Sequence, residues 1–203
     1  QIPGSSNDWN TVQNYATLKN GNKQIVVTSP DAPLMQFGGI NTGRYKAGAT
    51  PTSTHFYSWP MNNYWVTNFN PDQKGEHRWS FYITSEKNNS NNEAVRFGWG
   101  NRVPFLTRIL PGGGKGDNLK AYSFVTGWPE NILLVNSTPG SQPNSVILQL
   151  RETSGKPADL SQIAPTDTPT SLLQPVNVLG EKIQDGKLQL APYGSGLYQL
   201  SWD

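Results

Sequence analysis

Ser145-Val146-Ile147-Leu148-Gln149-Leu150-Arg151-Glu152 sets Val146, Leu148 and Leu150 two residues apart. Successive side chains of an extended chain point to opposite faces, so this spacing describes a half-buried strand and fits no helical stripe. His77-Arg78-Trp79-Ser80-Phe81-Tyr82-Ile83-Thr84 repeats it, with Trp79, Phe81 and Ile83 on the face expected to be buried and Arg78, Ser80 and Tyr82 on the other. Gln24-Ile25-Val26-Val27-Thr28 is β-branched and stops at the turn cluster Ser29-Pro30-Asp31. Residues 120–125, 131–136 and 196–202 read as further strands. Asp185-Gly186, between Glu181-Lys182-Ile183-Gln184 and Lys187-Leu188-Gln189-Leu190, predicts a hairpin closed by a type I′ turn.

Strands this short need frequent turns, and the composition supplies them. The 203 residues include 20 Gly and 16 Pro, roughly 18% against roughly 12% in an average protein. Seven Trp, eight Tyr and seven Phe provide large core-forming side chains, which argues against disorder. One stretch reads as a short helix: residues 91–99, with Asn91 or Asn92 as the N-cap and Gly98 and Gly100 as the stop. The expected architecture is therefore all-β, a β-sandwich of mostly antiparallel strands with one short helix, built as a single domain over residues 1–203. The Gly-rich loop near 112–117 is the one place where it could divide into two sub-sheets. Gln1-Ile2-Pro3-Gly4-Ser5-Ser6 reads as a cut end, either a processed terminus or a boundary inside a longer chain.

Several function classes are disfavoured. A net charge of +2, with 16 Lys and Arg scattered singly, offers no track for a phosphate backbone, so no nucleic-acid partner is expected. No run of about 18 apolar residues is available to span a bilayer as a helix, so no membrane partner is expected either. The chain has no Cys, which removes disulfides and thiolate chemistry and leaves the compartment open. His55 and His77 are the only histidines; each falls in an expected strand, too few and too far apart for a catalytic zinc site, so no metal ligands are nominated. Residues 111–117 resemble a phosphate loop but lack the Ser/Thr after Lys115 and a following helix. Gly194-Ser195-Gly196 is too short for a nucleophile elbow. The 14 acids nominate no carboxylate pair for glycoside hydrolysis, and Asp31 and Asp72 read as turn residues, with Glu76 nearby. Asn88-Asn89-Ser90 and Asn136-Ser137-Thr138 match the glycosylation sequon.

The densest chemical constellation runs from His55 to Phe69. Tyr57, Trp59, Asn62, Asn63, Tyr64, Trp65 and Asn68 combine aromatic faces with side-chain amides. Sugars stack their C–H faces on rings and hydrogen-bond through their hydroxyls, so these seven residues are the candidates for carbohydrate contact. The same residues also suit a sandwich core, with Asn side chains satisfying turns.

That segment, Met61-Asn62-Asn63-Tyr64-Trp65-Val66-Thr67-Asn68-Phe69, resembles the Met-Asn-Asn-Tyr-Trp-x-Thr-Asn-Tyr segment in the C-terminal β region of glycoside hydrolase family 38, the α-mannosidases. Asp31-Ala32-Pro33-Leu34 resembles a segment upstream of it, Glu152-Thr153-Ser154-Gly155 the end of a later strand, and Leu188-Gln189-Leu190-Ala191-Pro192-Tyr193 the closing strand. The matches keep their order over roughly residues 25–202. Phe69 and Val66 depart from the pattern, and Trp59-Pro60 precedes the Met, as in a divergent subfamily. The resemblance implies that zinc, its His and Asp ligands and the Asp nucleophile belong to an N-terminal catalytic domain whose motifs this chain does not carry. It implies a non-catalytic C-terminal fragment whose partner is the catalytic domain of the same parent chain. It also implies a periplasmic or extracellular setting if the parent degrades glycans in a bacterium. The alternative is a carbohydrate-binding module that offers a Trp/Tyr stacking platform to an oligosaccharide.

Overall fold

The computed structural model describes residues 9–41, 51–61, 68, 70–109, 122–168 and 170–203. The chain divides into two compact units, residues 1–107 and 108–203. Every named sheet in both is antiparallel, and the fold is all-β and sandwich-like with one short helix.

The first unit contains β1 (Asn10–Thr11), β2 (Ala16–Asn20), β3 (Lys23–Thr28), β4 (Leu34–Phe37), β5 (Phe56–Ser58), β6 (Tyr82–Glu86) and α1 (Asn91–Arg102). They form two three-stranded sheets, ordered β1-β4-β5 and β2-β3-β6. Strand β3 is the middle strand of the second sheet. Gln24, Val26 and Thr28 are buried on the face that α1 covers, while Ile25 on the opposite face is 44% exposed. The Gln24 amide donates to the Ser90 carbonyl at 2.9 Å and ties the start of α1 to this face.

Strand β6 corrects the expectation for residues 77–84. It begins only at Tyr82 and pairs Tyr82–Glu86 with Thr28–Gln24. The alternation is real, but its apolar members lie on the uncovered side: Phe81 is 43% and Ile83 68% exposed, and Trp79 is half-buried outside the strand. The histidines are corrected too. His55 immediately precedes β5 and His77 lies in irregular chain, each ring nitrogen near a local oxygen (Ser53 Oγ, Gln73 O). Asp31 does not cap its own turn. Ser29 Oγ accepts from the Asp31 and Ala32 N–H groups, and the Asp31 carboxylate instead accepts from Ser80 N–H at 2.7 Å, joining segments far apart in sequence.

The helix forms where expected but is capped by Ser90, whose Oγ accepts from Asn92 N–H, and it runs through both glycines to Arg102. Gly98 is a close-approach residue rather than a stop: a Cβ there would lie 2.7 Å from the Asn14 carbonyl oxygen. A Cβ on Gly100 would meet nothing. Gly→Ala at an open helical site gains about 1 kcal/mol. Gly100→Ala is therefore expected to raise the denaturation midpoint, while Gly98→Ala lowers it because the helix must withdraw from Asn14. Equal effects from the two variants in urea titrations would refute this account.

The second unit contains β7 (Val125–Thr126), β8 (Ile132–Pro139), β9 (Ser145–Glu152), β10 (Ala158–Asp159), β11 (Ala164–Pro165), β12 (Ser171–Val176), β13 (Gln189–Leu190) and β14 (Ser195–Trp202). Its main sheet is ordered β12-β14-β9-β8. The register Leu173–Leu200–Val146 and Pro175–Tyr198–Leu148 lines up one apolar face across the strands. The short ladders β10-β13 and β11-β7, with the chain between them, supply Leu160, Ile163 and Leu190 as the opposing layer of the core. Strand β9 matches the expected bounds residue for residue. The expected strand at 120–125 is reduced to Val125–Thr126, with residues 120 and 121 outside the described set.

The hairpin expected at Asp185-Gly186 does not form. Gln189–Leu190 pairs with Ala158–Asp159, and residue 182 forms only a single bridge to Val176. Gly186 N–H closes a turn onto the Ile183 carbonyl, Asp185 takes φ +60°, and Gly186 is not left-handed, so the type I′ geometry is absent. Leu190 is drawn into the core by the second layer, which overrides the local turn preference.

Candidate functional site

Strand β5 hydrogen-bonds to β4, placing Phe56 against Phe37 with ring centroids 5.1 Å apart and Tyr57 opposite Gln36. The chain then returns through Trp59 N–H, which donates to the Leu34 carbonyl at 2.9 Å. Tyr57 and Trp59, two residues apart, share a side of this extended chain and are both half-buried. The Trp59 ring is engaged by Trp9, at a centroid separation of 3.5 Å and a tilt of 52°, and Tyr57 lies 6.0 Å from His55. Asn68 is exposed; Asn62, Asn63, Tyr64 and Trp65 lie outside the described residues. Of the seven nominated residues, two are therefore seen together.

The most perturbed ionisable group is one the residue types did not nominate. Glu152 ends β9 with 0% of its surface exposed. Its Oε1 accepts from Asn131 Nδ2 (2.7 Å), Ser154 N–H (2.7 Å) and Ser154 Oγ (2.6 Å); its Oε2 accepts from Gly155 N–H and Tyr193 N–H, both at 2.8 Å. Burial alone pushes this carboxyl up. The Ser154 hydroxyl, the Tyr193 and Ser154 backbone groups and the Asn131 amide outweigh burial and hold it at about 2, below its ordinary 4.5. A carboxylate so fully occupied and shielded joins the start of β8, the turn after β9 and the turn before β14. It is not poised to move a proton. The available signal was its parity: 152 is in phase with Val146, Leu148 and Leu150, so an acid falls on the core face.

A second feature of this unit is an open cleft of about 620 Å³ lined by the chain around β7 and by residues of β8, β9 and the end of β14. Phe124, Trp128 and Trp202 supply rings, Leu134 and Leu148 part of its apolar wall, and Ser123 and Ser137 hydroxyls. Phe124 and Trp202 meet edge to face at 5.0 Å. The Trp128 indole N–H donates to the Val125 carbonyl at 3.0 Å, which fixes that ring. Among the described residues, no Lys, Arg, Asp or Glu lines the cleft. Its walls come from separate segments of chain, so no local motif announces it.

Among the described residues no group of three or more His, Asp or Glu side chains could hold a metal ion. No protein-family model and no curated protein matches the chain.

Proposed function

We propose that this chain is a non-catalytic β-sandwich module of a glycoside hydrolase similar to family 38, and that it docks on the catalytic portion of its parent polypeptide. The ordered sequence resemblance suggests the family. The observation that supports docking is the outer face of the β2-β3-β6 sheet. Helix α1 covers one side of β3, while on the other Ile25 is 44% and Ile83 68% exposed, with Phe81 at 43% beside them. Beyond α1, Phe105, Leu106 and Ile109 are 95%, 99% and 92% exposed in one stretch of chain. Isolated exposed apolar residues are ordinary; a row across a sheet face marks an interaction surface. The glycan-cleaving acids and zinc belong, on this reading, to the partner portion.

The test is association. Produced as separate polypeptides, this chain and the catalytic portion encoded with it should form a complex and restore hydrolysis of a neutral glycoside. Ile83→Glu should weaken the complex at least tenfold while leaving thermal stability within about 0.5 kcal/mol, as for other exposed substitutions. A catalytic portion that is fully active and shows no affinity for the chain would overturn the proposal.

A further inference from the structure

We infer that the cleft between the β7 segment and strands β8, β9 and β14 is a binding site for a neutral oligosaccharide, held by the faces of Phe124, Trp128 and Trp202. The source of such a ligand rests on the reading of the chain as part of a glycoside hydrolase; its chemical class rests on the cleft. The described lining side chains are all uncharged and offer nothing to offset the desolvation of a charge, which disfavours an ionic ligand. The volume of about 620 Å³ falls within the roughly 300–1,000 Å³ of small-molecule sites.

The shape selects further. The described walls leave the cleft open rather than enclosed, so a bound molecule keeps part of its surface in water. A wholly apolar ligand would leave that surface badly solvated. A pyranose suits both environments, with a C–H face for the rings and hydroxyls for the solvent side. The two lining hydroxyls fit the same ligand. Ser123 Oγ donates to the Val125 carbonyl and keeps its lone pairs, while Ser137 Oγ has no protein partner among the described residues. Ser137 stands opposite Leu148 on β8, a polar side chain in an otherwise apolar row. The rings are held before any ligand arrives: Trp128 by its bond to Val125, and Trp202 by its edge-to-face contact with Phe124 and its backbone bond to the Asn144 carbonyl at 3.0 Å. Binding therefore orders little that is not already ordered.

The experiment uses the full chain with four probes: mannotriose, maltotriose, cellotriose and 1-naphthol. Binding is followed by calorimetry and by the indole N–H resonances of the Trp residues. At least one trisaccharide should bind saturably and shift the Trp128 and Trp202 signals. Phe124→Ala should weaken it about tenfold, the scale of one lost ring contact, and Ser137→Val should weaken it with the indole spectrum of the free protein unchanged. Phe124 is 42% exposed, so its replacement leaves a folded protein for comparison. Binding of naphthol without any trisaccharide overturns the sugar assignment. Trisaccharide binding that neither variant alters places the site elsewhere and overturns it as well, as does silence with all four probes. The readout needs no catalytic portion, so its failure and failure of the docking test are separate results.

Discussion

Replacing Glu152 is expected to cost the second unit more than any other single exposed or buried polar change. With the carboxyl at about 2 in the folded chain and about 4.5 unfolded, the folded state binds fewer protons between those values. Stability from this group is therefore complete above about pH 5 and is lost as pH falls through 2. The full difference is on the order of 3 kcal/mol, of which roughly 2 kcal/mol is gone by pH 3. Glu152→Gln should remove that pH-dependent part, because its amide turns a donor toward backbone N–H groups that need an acceptor. Glu152→Ala leaves five donors facing a cavity, at about 1–3 kcal/mol for each that finds no water. Urea titrations at pH 7 and pH 3 check the sign: wild type should lose stability between them that the Gln variant has already lost. Parallel pH profiles for the two proteins would show that Glu152 is not the linked group.

Gly127→Ala should be comparably severe for a steric reason. Gly127 sits at φ +73°, and a Cβ would fall 1.7 Å from the Gln162 carbonyl oxygen and 2.5 Å from its carbon. Neither backbone can give way without opening the adjacent Thr126–Ala164 pairing of β7 and β11. A left-handed position and a backbone collision together cost several kcal/mol, against about 5–15 kcal/mol for a whole domain. Trp128 and Phe124 flank the same ladder, so the variant should also blue- or red-shift Trp emission before it melts. A midpoint within about 1 kcal/mol of wild type would refute the close approach.

The sequence carried β9 accurately because its apolar alternation and its burial agree. It carried the existence of α1 but not its length, since Gly98 looks like a breaker until Asn14 is seen against it. It misread Asp185-Gly186 because a turn signal says nothing about which strands its flanks will join, and Leu190 is claimed by the core. It placed Ile83 inside, because period 2 identifies two faces without saying which one a helix will cover. Glu152 and the cleft were hidden for opposite reasons. The first needed only attention to parity, whereas the second is assembled from side chains that no linear spacing connects.

The order of the main sheet has a consequence for how the chain comes to be folded. One of its two inner positions is filled by β14, between β12 and β9, and Ser145 pairs with Ser201. A nascent chain leaving the ribosome can close the β8–β9 hairpin early, but β12 has no partner strand in the main sheet until residues 195–202 emerge. Until then Leu148, Leu150 and Leu173 have only part of their burial. Pairing over such separations is slow and leaves apolar strand surface open to other chains. The second unit is thus committed to folding late and all at once, so its yield in a cell should depend on chaperone supply more than on its final stability.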